Sequence, residues 1–193
     1  MESTVNRKVH SKIKEKTDTI SYRLPLKLLN DLETEANEKN ISQNVLVKQI
    51  LQKYVSWERF AVKVGMIPVP QKILESLAGD LSHQKILKII DALFATIKDS
   101  VMLMKGGYDL KRTIETLEDY MRNSGMESDH RIEGDLHHFI IQHKMGIQWS
   151  IFTELLLKRV FAEFEKSVLT FQTTESTVIA TIPLGSDFDE HDY

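Results

Sequence analysis

The amino-acid sequence predicts an α+β protein in two parts: a short strand–helix–helix unit at the N-terminus, then a separate helix-rich α+β domain with a small antiparallel sheet. Three observations predict it. Residues 19–24 read Thr-Ile-Ser-Tyr-Arg-Leu, the polar and apolar alternation of a strand whose two faces differ. From Pro25 onward, apolar residues recur at helical spacing through most of the chain. Two short runs rich in β-branched residues, SVLTF at 167–171 and STVIATI at 176–182, follow near the C-terminal end.

In chain order, residues 1–17 lack periodicity, carry Arg7, Lys8, Lys12, Lys14 and Lys16, and are expected to form a flexible basic arm. The first strand spans 18–24, with Ile20, Tyr22 and Leu24 on one face and Thr19, Ser21 and Arg23 on the other. Pro25 is a favoured first helical residue, because its missing N–H would have no helical partner there. Leu28, Leu29, Leu32 and Ala36 form the stripe of that helix, and Lys39-Asn40 ends it, since Asn can take a left-handed conformation. Ser42 then caps a second helix carrying Leu46, Val47, Ile50, Leu51, Tyr54, Trp57 and Phe60. It is expected to run to about Val64 and stop at Gly65. The MIPVP stretch at 66–70 reads as an extended connector, because residues before proline are pushed out of the helical region, and it marks the expected domain boundary. Beyond it, 70–78, 83–104 and 109–124 read as helices divided by Gly79-Asp80 and Gly106-Gly107. Residues 130–143 read as a strand and 147–165 as a long amphipathic helix. The last two strands join through Thr173-Thr174-Glu175, and the acidic tail over 185–193 is expected to be disordered.

The 193 residues are 41% hydrophobic and 27% charged, which is ordinary for a globular protein. There is no cysteine, so disulfides, thiolate metal sites and cysteine nucleophiles are excluded together. No apolar run is long enough to span a bilayer, and no apolar signal core opens the chain, so a cytoplasmic protein without a membrane partner is expected. Charge is uneven: residues 1–63 hold 12 Lys/Arg against 8 Asp/Glu, and the remainder holds 13 against 20. A basic head on an acidic body suggests a polyanion partner for the head; a merely solvated arm is the alternative.

A lone strand raises the question of what pairs with it. The alternating strand, Leu28 and Leu32 on the first helix, Asn40-Ile41-Ser42 at the turn, and Leu46, Ile50 and Tyr54 on the second helix together resemble the ribbon-helix-helix family of the Arc, MetJ and CopG type. The resemblance covers roughly residues 18–60 and places a DNA-binding domain at 18–64; Asn40 stands where the family often has glycine. It implies a dimer in which two strands form an antiparallel ribbon and four helices share one core, with Ile20, Tyr22 and Leu24 facing that core. It further implies that the ribbon enters the major groove of double-stranded DNA, with Arg23 donating to guanine and Thr19 and Ser21 reading neighbouring bases. Ser42, Gln43 and Asn44, at the start of the second helix, would clamp a phosphate. The implied function is a homodimeric or higher-order transcriptional regulator on a palindromic operator.

The body over 66–184 resembles no family and is expected to sense an unidentified ligand or to set oligomeric state. Histidines crowd DLHHFIIQHK, with His137, His138 and His143 beside His130 and Asp135. An extended strand would hold His137 and His143 about 20 Å apart at roughly 3.3 Å per residue, and His138 on the other face, so structural histidines are expected rather than a metal site. His137 with Asp135 and Glu133 suggests acid–base chemistry, but no nucleophile motif or phosphate loop accompanies them, so neither enzyme activity nor a cofactor is expected. Trp149 reads as a buried anchor or as the wall of a ligand pocket. Phe94, Met102 and Met104 read as core or dimer seam. An antitoxin of a toxin–antitoxin pair and a nickel-type metal-responsive repressor remain alternative readings.

Overall fold

The computed structural model describes residues 16–164, 168–184 and 188. The expected arm therefore lies outside the described residues as far as residue 15, as does the expected tail apart from Phe188. The chain forms two compact units, one ending at Val47 and one starting at Lys48, whereas the sequence suggests a boundary at 66–70.

In the first unit, residues 16–25 are irregular and exposed, so the strand expected over 18–24 is not formed. The reason is physical. A strand exists through the ladder bonds of a neighbour, and no described segment of this chain supplies one. Helix α1 spans Leu26–Glu38, with Pro25 just outside it at the N-cap instead of inside as its first residue. Its end satisfies the last carbonyls by a Schellman arrangement: Ile41 N–H donates to Ala36 O at 3.0 Å and Asn40 N–H to Asn37 O at 3.1 Å. That geometry needs a left-handed residue, and Asn40 takes it with φ of 54°. Helix α2, Gln43–Lys53, follows at once.

In the second unit the helix started by α2 does not continue regularly. Tyr54–Glu58 form a π turn, in which Arg59 N–H reaches back to Tyr54 O, and a short α3, Arg59–Ala61, closes it. Thus the second helix reads as one element to Val64 in the sequence but changes pitch at Tyr54. Helices α4 (Gln71–Gly79), α5 (His83–Lys105) and α6 (Leu110–Asn123) follow. Ser82 caps α5 by accepting from Lys85 N–H at 3.4 Å, and Asp109 caps α6 by accepting from Arg112 N–H at 2.9 Å. Lys105 at the end of α5 reaches Asp119 of α6 at 2.9 Å, joining the two helices through a largely buried ion pair.

The stretch expected as one strand over 130–143 is a hairpin: β1 is Glu127–Glu133 and β2 is Leu136–Gln142. Gly134, with φ of 64°, supplies the positive φ that a two-residue turn requires. Helix α7 spans Ile147–Ala162, β3 Thr170–Thr173 and β4 Thr177–Pro183. The four strands form one antiparallel sheet in the order β1-β2-β4-β3. Phe139 pairs with Ala180, and His137 with Ile182, so β2 and β4 present one continuous apolar face. Against that face pack Ile114 and Met121 of α6 and Leu157 and Phe161 of α7, which together make the core. The outer strand β1 carries Glu127, Asp129, Arg131 and Glu133, charges that discourage further pairing at an open edge. Phe188, within the tail expected to be disordered, packs edge-on to His137 with ring centroids 5.3 Å apart. Among the described residues, no helix is long and apolar enough to cross a membrane.

Candidate nucleic-acid interface

The residues that the sequence singles out fall in two groups, both in the first unit. Thr19, Ser21 and Arg23 lie along the exposed irregular segment before α1. The Thr19 N–H donates to Asp18 Oδ1 at 2.7 Å, a contact between chain neighbours. Arg23 makes no ion pair among the described residues.

Ser42, Gln43 and Asn44 are consecutive at the start of α2, positioned there by the left-handed turn at Asn40. Ser42 Oγ accepts from Val45 N–H at 3.3 Å, and Ser42 O accepts from Leu46 N–H at 3.0 Å, so this side chain already works as an N-cap. Gln43 Nε2 donates to Leu29 O at 3.2 Å, tying the start of α2 to the first turn of α1. Asn44 is exposed, with no side-chain partner among the described residues. Two of the three expected clamp side chains are therefore engaged by the fold itself. Each of those contacts uses only part of the side chain, so the Ser42 O–H and the second Gln43 amide N–H remain for an anion beside Asn44 and the first-turn backbone N–H groups at the positive end of the helix. Among the described residues, no hydrogen bond joins the two groups.

The apolar side chains of this unit are the more unusual feature. Ile20 is 70% exposed, Tyr22 62% and Leu28 43%, while only Ala36 and Leu46 are buried among its described residues. A unit that buries two apolar side chains is far below what a stable fold requires.

In the second unit the histidines of the hairpin and its extension are all engaged. His137 and His143 are buried on one face of β2 and its extension, and His138 lies on the other face beside Thr181 at 2.9 Å. His130 Nε2 and His137 Nδ1 stand 3.0 Å apart, so one ring donates and the other accepts, with the His130 ring stacked on Phe139 at 4.0 Å. Asp135, grouped with His137 by the sequence, sits in the hairpin turn, where its backbone oxygen accepts from Leu184 N–H. Among the described residues, no group of three or more His, Asp or Glu is placed to hold a metal ion.

His143 and Ser150, 2.9 Å apart, have the outward look of a nucleophile and its base. The proton runs the other way. Met145 N–H donates to His143 Nδ1 at 3.2 Å, so Nδ1 is the acceptor and the neutral ring carries its proton on Nε2, donating to Ser150 Oγ. Ser150 in turn donates to Glu175 O at 3.3 Å. The chain of bonds pins the start of α7 to the turn before β4.

Burial holds the His143 imidazole below its ordinary value. A depressed histidine takes up its proton more readily in the unfolded chain. Its contribution to stability is thus present above about pH 6.5, the unfolded value, and is lost as pH falls through the lower folded value. Thermal melting at pH 7.5 and 5.5 is expected to show wild type losing stability on acidification, and His143→Gln losing less. An equal loss in both proteins would assign the acid sensitivity to other groups.

Compared with known proteins, the chain matches no family model, and no curated protein matches it in sequence.

Proposed function

We propose that the chain is a homodimeric, sequence-specific DNA-binding regulator, whose first unit is a ribbon-helix-helix head completed by a second copy of itself. The observation that carries this reading is the uncovered apolar surface of Ile20, Tyr22 and Leu24, which alternate with polar residues, continued by Leu28 and Leu29 on α1. Pairing of two such segments as an antiparallel ribbon removes the open ladder positions and covers those side chains in one step. It turns Thr19, Ser21 and Arg23 outward together, with dimensions that fit a major groove. The first-turn N–H groups of α2 and Asn44 then meet the phosphate backbone, which fixes register without reading bases. The excess of Lys and Arg over residues 1–63 favours the same polyanion. The body has its own core around Phe139, Phe161 and Ile182, unlike a tail that folds only on a toxin, and this favours a regulator over an antitoxin.

Selection from random duplexes is the test, and it is expected to enrich a two-fold symmetric sequence. No enrichment over input would end the proposal. Within the enriched sequence, Arg23→Ala is expected to lose about 1–3 kcal/mol of discrimination at one base step per half-site, with little change on unrelated DNA. Equal binding of mutant and wild type to every sequence tested would remove Arg23 from base reading.

A further inference from the structure

The second unit holds a cavity of about 310 Å³, and of its walls the sequence offers Trp149 alone as a ligand-facing residue. Its walls come from separate elements: Trp57 of the π turn, Thr96 of α5, Tyr120 of α6, and Trp149 and Phe152 of α7. Trp57 and Tyr120 meet at 5.9 Å between ring centroids, and Trp149 and Phe152 at 5.2 Å, so two tilted aromatic pairs contribute to the wall. No Asp, Glu, Lys, Arg or His side chain is among the lining residues. Two lining hydroxyls are already used, Ser100 donating to Thr96 O at 2.6 Å and Thr116 to Arg112 O at 2.8 Å. By contrast, Trp57, Tyr120 and Trp149 make no side-chain hydrogen bond among the described residues, leaving two indole N–H groups and one phenol unspent. A second, more polar recess of about 480 Å³ shares Tyr120, Met126 and Trp149 as its boundary and adds Glu127 and Lys144.

We propose that this cavity binds a neutral, largely apolar small molecule with ring character and a hydrogen-bond acceptor at one end. The volume lies at the lower limit of small-molecule pockets, roughly 300–1,000 Å³, which suits one compact ligand and not a peptide or helix. A charged ligand would be desolvated there without any counter-charge, which selects against it. Flat ring systems gain most from aromatic walls, and the free indole and phenol donors give an acceptor a place to point. In the chain, the π turn that carries Trp57 follows α2 without an intervening loop, and α2 opens on the proposed phosphate clamp. A regulatory meaning for that continuity rests on the DNA-binding reading; the binding itself does not.

Titration of the full chain with 6-propionyl-2-(dimethylamino)naphthalene, a neutral fused aromatic ketone, is the test. Saturable uptake of one probe per chain, with quenching of tryptophan emission, is expected. Thr96→Phe and Thr153→Phe, which project a ring into the cavity from two different helices, are each expected to weaken uptake at least tenfold. Leu87→Phe, on α5 but outside the lining, is expected to bind as wild type, and 1-naphthalenesulfonate is expected to bind at least tenfold more weakly than the neutral probe. Each filling variant is checked by circular dichroism, and either one that folds suffices. Unsaturable uptake, equal binding of the anionic probe, or undiminished binding by a folded filling variant would overturn the proposal. DNA selection is read separately, so loss of probe binding and loss of DNA binding are told apart.

Discussion

Ile20→Asp is expected to convert the dimer to monomers at micromolar concentration and to abolish operator binding with it. Ile20 is 70% exposed in the single chain, so the substitution removes nothing that this chain packs against itself. In the proposed ribbon it is covered twice, once per copy. Burying an isoleucine side chain contributes about 1.5–3 kcal/mol, so the symmetric pair contributes about 3–6 kcal/mol to association. At 1.4 kcal/mol per decade, its loss raises the dimer dissociation constant by roughly 100-fold or more. Burial of two facing carboxylates adds to that. Light scattering behind size exclusion reads the oligomeric state directly. Thr19→Asp is the companion. It stands one residue away on the opposite face, and is expected to keep the dimer while repelling phosphate. If Ile20→Asp stays dimeric, residues 18–24 do not form the ribbon, and the proposed DNA surface loses its scaffold.

The second large effect concerns the body. Phe161→Ala is expected to lower its stability by about 3–5 kcal/mol. Phe161 is 2% exposed, fills the space between α7 and the sheet, and lies 6.3 Å from the Phe139 ring. Neither neighbour can collapse into the vacancy, because the β2–β4 ladder fixes Phe139 and its pairing partner Ala180 on one side. Domains of this size shift their melting point by about 2–4 °C per kcal/mol, so a fall of about 10 °C is expected in calorimetry. Leu87→Ala, at a position 41% exposed, serves as the control and is expected to stay within about 0.5 kcal/mol of wild type. Equal melting of the two variants would mean that the core lies elsewhere than between α7 and the sheet.

Much of the helical layout was legible because its punctuation is local. Asn40 takes the left-handed conformation that the turn needs, Ser42 caps α2, and Gly106 ends α5 with φ of 72°. The hairpin was not legible, because the apolar run from Leu136 to Ile141 dominates the pattern while β1 reads Glu-Ser-Asp-His-Arg-Ile-Glu and hardly alternates. An edge strand with water on much of both faces has no reason to alternate. The Gly134-Asp135 pair was the available signal. The engagement of Gln43 with Leu29 O was hidden too, since a bond across 14 positions depends on how two helices meet. Of the cavity only Trp149 was offered as a ligand wall, and the rest was hidden for the same reason in stronger form: periodicity assigns a face to each helix, but not which faces converge.

The π turn at Tyr54–Glu58 has a consequence for the geometry of the helical run around it. A π turn takes up one extra residue without extra rotation, so everything after it is set back by about 100° relative to an unbroken α-helix. Ile50 and Ala61, on either side of the turn, would otherwise fall close to one line along the rod, and so would any substitutions chosen to follow it. With the inserted step, the two stretches take separate angular phases. Deleting a single residue between Tyr54 and Glu58 would remove that extra step, restore an ordinary α-helical pitch, and leave the later side chains at about the angles they now hold, still in line with the walls they complete.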